Sequence, residues 1–338
     1  MLAKLIDRPS VAVDLGTANT RMWSCEKGMI AEEPSMVRMV TVDNKHETSD
    51  TVINYLNSRL ISFPLRGGVI ADADKAVSLL KPMFKRVHGF RSPVSLACAP
   101  TDSTDRERRL LSEAISSAGA SHVAIIPEPW AAAIGAGIDM DSPYAQLLID
   151  IGDGVTDMVV IKRGRLVFTS AIRTACSDLH KAVRSSIIGH HRISPYDSYV
   201  EKLTYEIDGL LETGALFDDR PIRIEGIDII KRREAVAQIT RREIIKALEP
   251  VIYRILRMIQ TSVGRLSEMT LSDLQDTGIV LTGGGSCIKG MDKLIELKTG
   301  LKTRIADDPT HAVINGAKET IAYWKEKKSW WKEITWTL

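Results

Sequence analysis

The stretch VAVDLGTANTRMWSC, residues 11–25, decides the fold of this chain. Its apolar start, residues 11–13, ends in the carboxylate of Asp14 and is typical of a short buried strand. The small residues 16–20 then predict a tight turn, and residues 21–25 predict a second strand that runs back along the first. The stretch is therefore interpreted as a β-hairpin with a carboxylate where the turn begins.

The same pattern recurs near the middle of the chain. An apolar run at 147–150 ends in Asp150, residues 151–156 contain the next glycine-rich turn, and residues 157–161 predict the returning strand. This recurrence predicts a duplicated architecture, and the alternation of strands with helices indicates an α/β fold class. The elements predicted between the two hairpins are a strand at 94–99, a charged helix at 103–118, a strand at 122–126 and an alanine-rich helix from about Pro129.

The length of the chain fits a two-lobed molecule. A chain of 338 residues exceeds the size at which one hydrophobic core usually stops growing. No low-complexity linker separates the two halves, so we expect two lobes hinged about a cleft. The elements predicted in the second half are helices at 176–186, 196–211 and 241–263 and a strand at 278–282 that runs directly into three glycines.

The composition argues against several classes of protein. The 45 basic and 43 acidic residues give a formal net charge of +2, so the chain lacks the positive field of a nucleic-acid binder. The four cysteines are far apart and form no CxxC pair, which predicts a reduced cytosolic protein without a structural metal. No apolar run approaches the roughly 20 residues of a membrane-spanning helix, and no signal-peptide core is expected.

The two aspartate-ended hairpins suit the binding of a polyphosphate with its metal ion. Small turn residues let backbone N–H groups approach phosphate oxygens closely. Asp14 and Asp150 suit contact with Mg²⁺ through water, because that ion keeps several of its waters, and one of them can polarise an attacking water. Each motif alone favours a turn-forming aspartate after a buried strand, whereas the pair favours a phosphate site.

The glycines at 283–285 are the third element of this pattern. They follow an apolar strand and precede a helix predicted at 291–298, so backbone and helix N-terminal N–H groups can pack against a nucleotide. A glycine turn alone is a weak signal, since many strands end in one. Two strand–Asp–turn motifs followed by a strand and three glycines are specific.

These segments resemble the ATPase superfamily of actin, heat-shock chaperones and sugar kinases, and within it the MreB family most closely. The resemblance covers residues from about Val11 to Ala322 and implies a two-lobed actin-like ATPase fold, with duplicated sheet-and-helix domains around a nucleotide cleft. Its main segments are DLGTANT at 14–20, EPWAAAIGAG at 128–137, DIGDGVTD at 150–157 and GIVLTGGG at 278–285. Further similar stretches lie at 65–74, 170–179 and 299–317.

The resemblance implies roles for individual residues, with ATP and Mg²⁺ as cofactors. Asp14 and Asp150 would lie near Mg²⁺, through water, and together with Glu128, which would orient or activate the hydrolytic water, they are the catalytic candidates. Without the resemblance, Glu128 fits equally an acid that favours the helix dipole, and Glu201, matched to a ribose contact, fits a solvated helix acid. The nucleotide-binding candidates are Gly16, Thr17, Asn19, Arg21, Gly152, Asp153, Gly154, Thr156, Glu201, Gly283, Gly284 and Gly285.

Three features depart from the usual MreB pattern. Asp153 and Val155 replace Gly and Thr in the second loop, which brings that loop closer to eukaryotic actin and adds a carboxylate. Arg21 replaces the usual apolar residue, and we expect Arg21 and Asp153 to be a matched pair. The stretch 40–63 is shorter than, and different from, the corresponding small subdomain, so the resemblance does not carry over the filament contacts of that subdomain.

Both ends of the chain are candidate membrane contacts. Residues 1–8 place Leu2, Leu5 and Ile6 on one helical face, as a short amphipathic anchor would, although a frayed terminus fits equally. The tail interleaves tryptophan with lysine, which suits a membrane interface or, for Trp324, docking on the protein's own surface. The membrane or partner candidates of the tail are Trp330, Trp331 and Trp336.

We expect a filament-forming cytoskeletal ATPase that acts in cell-shape determination, located in the cytoplasm and peripherally associated with the inner membrane. Its expected partners are further copies of itself, the inner face of the cytoplasmic membrane and cell-shape or envelope-synthesis membrane proteins, without nucleic acid. The alternatives are a non-polymerising ATPase switch or small-molecule kinase of the same fold, and a nucleotide-binding scaffold without hydrolysis. The predicted domains are a possible membrane-binding segment at 1–10, lobe I at 11–145 with a short small subdomain at about 32–66, lobe II at 146–322 and a Trp/Lys-rich tail at 323–338.

Overall fold

The computed structural model describes most of the chain, namely residues 9–38, 61–87, 92–206 and 220–324, together with Trp336. These residues belong to two compact units, one reaching Ala131 and resuming at Val313, the other holding Ala132–Ala312. The boundary between the units falls inside a helix, and most of the last helix belongs with the first unit. The predicted limits of the lobes stay predictions, because a compact unit need not coincide with a lobe.

The first unit is built on a five-stranded sheet. Its elements are β1 (Val11–Leu15), β2 (Asn19–Ser24), β3 (Gly28–Pro34), β4 (Val37–Arg38), β5 (Ile61–Ser62), β6 (Leu65–Arg66), β7 (Val69–Ile70), α1 (Ala73–Val87), β8 (Val94–Ala99), α2 (Asp105–Ala118), β9 (His122–Pro127) and α3 (Glu128–Gly135), which crosses into the second unit. The sheet order is β3-β2-β1-β8-β9, and β4-β5 and β6-β7 form two small ribbons.

The predicted first hairpin is confirmed as β1 and β2. The two strands are antiparallel, with Asp14 opposite Arg21, and β1 also pairs in parallel with β8. Val11 and Val13 are fully buried, as the apolar start of the motif predicts. Burial of the strand on both faces explains its continuous apolar run, and it leaves Asp14 at the edge of the core where the turn begins.

The second unit has a matching sheet and one additional small sheet. Its elements are β10 (Gln146–Ile151), β11 (Thr156–Lys162), β12 (Arg165–Ile172), α4 (Cys176–His191), β13 (Ile193–Pro195), α5 (Asp197–Tyr205), β14 (Ile222–Asp228), β15 (Glu234–Ile239), α6 (Arg241–Val263), α7 (Glu268–Thr277), β16 (Ile279–Thr282), a 3₁₀ turn (Gly284–Cys287), α8 (Met291–Thr299), β17 (Thr303–Ile305) and the helix α9 (Ala312–Ala322). The large sheet has the order β12-β11-β10-β16-β17, and the small one has the order β13-β14-β15.

The two large sheets share one topology, which confirms the predicted duplication and the α/β class. In each, a central strand pairs antiparallel with the next strand of its hairpin: β1 with β2, and β10 with β11. Each central strand also pairs in parallel with a later strand, β1 with β8 and β10 with β16. The order of five strands is therefore the same in both units.

The long helix predicted at 241–263 is confirmed as α6. Thr240 caps its start by accepting a hydrogen bond from the Glu243 amide at 3.2 Å, which satisfies one of the free N–H groups of the first turn. Its buried face follows the helical period: Ile244, Leu248, Val251, Ile252, Ile255, Leu256 and Ile259. These side chains belong to the core of the second unit.

The tail prediction is wrong for Trp336. The Trp336 amide donates to the carbonyl of Ile125 at 3.0 Å, so Trp336 forms an isolated antiparallel bridge with β9 at the edge of the first sheet. The Arg108 guanidinium lies 4.4 Å from the centre of the indole ring. A cation over an aromatic face is attractive, and together with the backbone bridge it fixes Trp336 on the first unit rather than leaving it free for a membrane or partner.

Several sequence predictions fall outside the described residues. They are the amphipathic segment 1–8, most of the stretch 40–63, part of the helix expected at 196–211, and Trp330 and Trp331. In the described part of the chain no helix is both long enough and apolar enough to cross a membrane. All four cysteines are described, and each carries a free thiol.

Candidate functional site

The turn of the first hairpin is held closed by its own backbone. The Gly16 amide donates to the Asn19 carbonyl at 3.1 Å. A Cβ on Gly16 would lie 2.8 Å from that carbonyl oxygen, so a side chain there would force the turn open. The small residue predicted to admit phosphate is therefore also required by the geometry of the turn.

Two residues that the sequence pattern did not identify support this turn from outside. The Ser35 hydroxyl donates to the Gly16 carbonyl at 2.6 Å, and it lies 2.7 Å from the Thr20 hydroxyl. On the other side the Gly68 amide donates to the Thr17 hydroxyl at 3.0 Å. The first loop is thus fixed by hydrogen bonds from two distant segments of its own unit.

Asp14 and Arg21 form a buried pair across the hairpin. Arg21 Nη1 lies 3.5 Å from Asp14 Oδ2, and Arg21 Nε donates to Glu32 Oε1 at 2.9 Å. Both members of the Asp14–Arg21 pair are buried, whereas Glu32 is exposed. Arg21 therefore has carboxylate partners within its own unit, and its predicted pairing with Asp153 stays a prediction.

The charges of two catalytic candidates, Asp14 and Glu128, act on the buried thiol of Cys98. Its thiol is buried at the end of β8, and burial raises its pKa well above the usual value. The negative charges of Asp14 and Glu128 raise that pKa further. Since such effects fall off with distance, both carboxylates lie in the neighbourhood of this thiol. Glu128 itself is half-buried and begins α3.

The turn of the second hairpin repeats the geometry of the first. The Gly152 amide donates to the Val155 carbonyl at 3.0 Å, the same spacing of three residues as between Gly16 and Asn19. The start of α4 then binds this loop, because the Cys176 amide donates to the Gly152 carbonyl at 3.2 Å. The duplicated motif therefore extends from the sheets to the hydrogen bonds of the loops.

The triple-glycine segment lies beside the end of β10. Asp150 is buried, and its Oδ1 accepts a hydrogen bond from the Thr282 hydroxyl at 2.6 Å. Gly283 has a φ of +77°, and a Cβ there would lie 2.3 Å from the Ile151 carbonyl oxygen. Glycine is required at this position by both its backbone conformation and its close approach to β10. Thr282 lies inside the quoted segment 278–285, but it was not among the candidate site residues.

The remaining candidates have more ordinary surroundings. Thr156 is buried and donates its hydroxyl to the Thr174 carbonyl at 2.9 Å, so it supports the loop internally. Gly154 is buried in the same loop, and Glu201 is exposed on α5. The described residues contain no group of three or more His, Cys, Asp and Glu side chains that could hold a metal ion. A Mg²⁺ ion here would therefore take its ligands from one or two carboxylates, from waters and from the phosphate oxygens of the nucleotide.

In the second loop, the surroundings of Asp153 raise the pKa of its carboxyl group. Burial raises its pKa from the ordinary 3.8 to about 6; the positive charge of Lys181 opposes this and the negative charge of Asp178 adds to it. Asp153 is therefore partly protonated near pH 6 in the protein alone. A nearby cation, such as Mg²⁺, would favour its charged form.

We expect Asp153→Asn to change the pH dependence of stability. A raised folded-state pKa means that the folded protein keeps a proton between about pH 4 and 6 that the unfolded chain loses, so stability falls as pH rises through this window. Removing the carboxyl should abolish about 1–2 kcal/mol of that fall, allowing for partial solvent exposure. Urea unfolding of the nucleotide-free protein from pH 4 to 7 measures it. Asp276→Asn, at an exposed position of α7, is the control, and equal slopes for Asp153→Asn and the wild type would contradict the assignment.

Comparison with known protein families gives one match along most of the chain. The sequence model of the family described as MreB/Mbl protein matches residues 8–329.

Two characterised relatives are similar at about the same level. The cell shape-determining protein MreB of Pasteurella multocida (strain Pm70) is 30% identical over 336 residues, which cover 92% of this chain and 92% of that protein. The cell shape-determining protein Mbl of Bacillus subtilis (strain 168) is 27% identical over 317 residues, covering 90% of this chain and 93% of that protein.

Solved structures share the fold. MreB 5 of Spiroplasma citri bound to AMPPNP superposes with a TM-score of 0.81 at 28% identity, covering 96% of this chain and 99% of that one. The MamK double helical filament gives a TM-score of 0.71 at 18% identity, covering 92% and 98%, and so supports the fold alone. The chain therefore has an actin-like ATPase fold, as the motifs predicted.

Proposed function

Since the chain belongs to the MreB/Mbl family of actin-like proteins, we propose that it binds ATP with Mg²⁺, hydrolyses it and assembles into filaments that act in cell-shape determination. The observation that supports nucleotide binding most directly is the repeated loop. In both units a buried aspartate precedes a glycine turn closed by a hydrogen bond over three residues. Spiroplasma citri MreB 5, which is 28% identical, has been solved with AMPPNP and with ADP.

The phosphates of ATP would be bound mainly by backbone N–H groups. Gly16, Thr17 and Asn19 provide the first loop, and the second contains Gly152, Asp153, Gly154 and Thr156. Such turns attract anions because several N–H dipoles point into one concave space. Arg21 lies between Asp14 and Glu32, so it would orient Asp14 while adding positive charge to the first loop. The proposed contacts to the nucleoside are Glu201 and the segment Gly283, Gly284 and Gly285.

Two buried carboxylates would set the metal side of the site. Bound Mg²⁺ neutralises phosphate charge and so makes the terminal phosphate easier to attack. Asp14 and Asp150 would hold the waters of this ion, since each is fixed by a partner of its own: Arg21 for Asp14 and Thr282 for Asp150. Glu128 would accept a proton from the attacking water or orient it.

Nucleotide-dependent sedimentation tests this function. With ATP and Mg²⁺ the protein should pellet, release phosphate and show filaments by electron microscopy, and chelation of Mg²⁺ should abolish all three. Phosphate release without pelleting would favour the non-polymerising ATPase switch. ADP formation that requires an added small hydroxyl acceptor, with the phosphoryl group found on that acceptor, would favour the kinase. Pelleting with bound but uncleaved ATP would favour a scaffold.

The proposal includes peripheral attachment to the cytoplasmic membrane. Leu2, Leu5 and Ile6 provide three aliphatic side chains, worth roughly 1.5–3 kcal/mol each when fully buried, but ordering a short helix offsets much of that. A monomer should therefore bind lipid only transiently, whereas a filament binds through many copies at once. The proposed further partners are cell-shape or envelope-synthesis membrane proteins.

We expect ATP-grown filaments to float with anionic liposomes several times more strongly than monomers, and added salt to weaken the lysine contribution. Deleting residues 1–8 tests the first anchor. Replacing Trp330 and Trp331 with alanine tests the tail while retaining Trp336, whose docking on β9 a truncation would destroy. If filaments of the combined variant float as well as the wild type, neither segment is an anchor, and the remaining candidate is the stretch 88–91.

A further inference from the structure

Tyr205 is the last residue of α5 and lies close to two segments of the candidate nucleotide site. Its hydroxyl hydrogen-bonds to the Cys176 thiol, and its carbonyl accepts a hydrogen bond from the Lys289 amide at 3.1 Å. The hydroxyl also lies 3.3 Å from the position that a Cβ on Gly284 would occupy. One side chain thus contacts the start of α4 and approaches the triple-glycine segment.

Cys176 continues this connection into the second phosphate loop. Its amide donates to the Gly152 carbonyl at 3.2 Å, and its sulfur lies 3.2 Å from the position of a Cβ on Gly285. The thiol is fully buried. Cys176 therefore lies where the second loop, the triple-glycine segment and α5 meet, and all three belong to the same unit.

The side chains of Cys176 and Tyr205 both stay uncharged at neutral pH. Burial, followed by the negative charge of Asp153, raises the pKa of Cys176 to about 12, and burial followed by Cys176 raises the pKa of Tyr205 above its usual value. Neither group ionises near pH 7, so the hydrogen bond persists across the physiological range. The rings of His180 and Tyr205 pack in a T-shaped arrangement with their centres 5.7 Å apart, and this contact holds the tyrosine ring independently of its hydroxyl.

We propose that Tyr205 and Cys176 are a positioning pair that holds the second phosphate loop and the triple-glycine segment in register with α5. Neither residue needs to touch the nucleotide. The Cys176 amide binds the Gly152 carbonyl, so a side-chain contact that fixes Cys176 also fixes this loop, and Tyr205 approaches Gly284 from the helix that carries Glu201. The inference rests on the proposed ATP binding and identifies the part of the unit that pre-organises it.

Tyr205→Phe removes the hydroxyl and keeps the ring packed against His180. We expect the Kd for ATP to rise roughly threefold to tenfold, the effect of losing one hydrogen bond that fixes a binding loop. Cys176→Ala should have a similar effect, and the double variant should be no weaker than either single one, because both changes break the same contact. Cys176→Ser, which retains a hydrogen-bond acceptor, should recover part of the affinity. Tyr253→Phe on α6 is the matched control, since its ring is exposed.

Affinity is measured on each variant at a temperature where its circular dichroism shows it fully folded. A purely structural role would lower the urea midpoint of Tyr205→Phe and leave its ATP affinity within twofold of the wild type, and this result would overturn the inference alone. Additive losses in the double variant would also overturn it. A wild-type protein that binds no ATP would overturn the inference and the proposed function together.

Discussion

Glu128→Ala is expected to bind ATP and to release phosphate about 10²–10⁴-fold more slowly than the wild type, the usual effect of losing a general base. Glu128 begins α3, and its charge acts on the same buried thiol, Cys98, as the charge of Asp14. Its half-buried carboxylate can therefore reach a water without being sealed in the core. Binding should persist, because the proposed phosphate contacts come from other residues.

Two further variants make this test specific. Glu128→Gln keeps the size and hydrogen-bonding capacity of the side chain, so a water-orienting role would leave it partly active, whereas a proton-accepting role would leave it as slow as Glu128→Ala. Glu113→Ala removes an exposed acid from α2 and should change neither binding nor hydrolysis. Phosphate release by Glu128→Ala at the wild-type rate would remove this residue from the mechanism.

The two hairpins could be predicted from the sequence because their determinants are local. An apolar run followed by Asp and small residues identifies strand, turn and return strand within about 15 residues. The same pattern at Asp14 and Asp150 also predicted the duplication, which the shared sheet order confirms. The glycines at 16 and 283 were recognisable for a related reason: no other residue fits a backbone approach as close as theirs.

The supporting residues of the site could not be predicted in this way. Ser35 and Gly68 reach the first loop from 19 and 51 residues away, and Thr282 reaches Asp150 from 132 residues away. Gly68 and Thr282 lie inside stretches that resemble the MreB family, but serine, threonine and glycine are common residues, so the local sequence does not show which distant group each one binds. Their roles follow from tertiary packing alone.

For Trp336 in the tail, the sequence pattern predicted a membrane or partner contact, whereas the structure places this residue against β9. Tryptophan among lysines matches a membrane-interface composition, and the composition of Trp336 and its neighbours gave no sign of a specific acceptor. That acceptor is made by Arg108 on α2 and the free edge of β9, two elements brought together by folding. An edge strand offers unpaired backbone groups, and here Trp336 of the same chain binds one of them.

Asp150→Asn is expected to lose about 10–100-fold of its ATP affinity in the presence of Mg²⁺, the range found when a group that orients the ligands of a metal is replaced. The fold should tolerate the change. The Thr282 hydroxyl donates to Asp150 Oδ1, and the amide oxygen of asparagine can accept the same hydrogen bond. Asp14→Asn is harder to interpret, because among the described residues it leaves the buried Arg21 with the exposed Glu32 as its carboxylate partner, and it should lower stability as well.

The effect of Asp150→Asn on ATP affinity should change direction when Mg²⁺ is removed, and this makes the test decisive. In the absence of Mg²⁺ a buried carboxylate repels phosphate, so Asp150→Asn should then bind ATP as tightly as the wild type or more tightly. The measured quantity is therefore the ratio of ATP affinities with and without Mg²⁺, which should fall in Asp150→Asn and remain unchanged in the exposed control Asp276→Asn. An unchanged ratio in Asp150→Asn would mean that Asp150 does not act on the metal, and its hydrogen bond with Thr282 would then be purely structural, joining β10 to the strand that leads into the triple glycine.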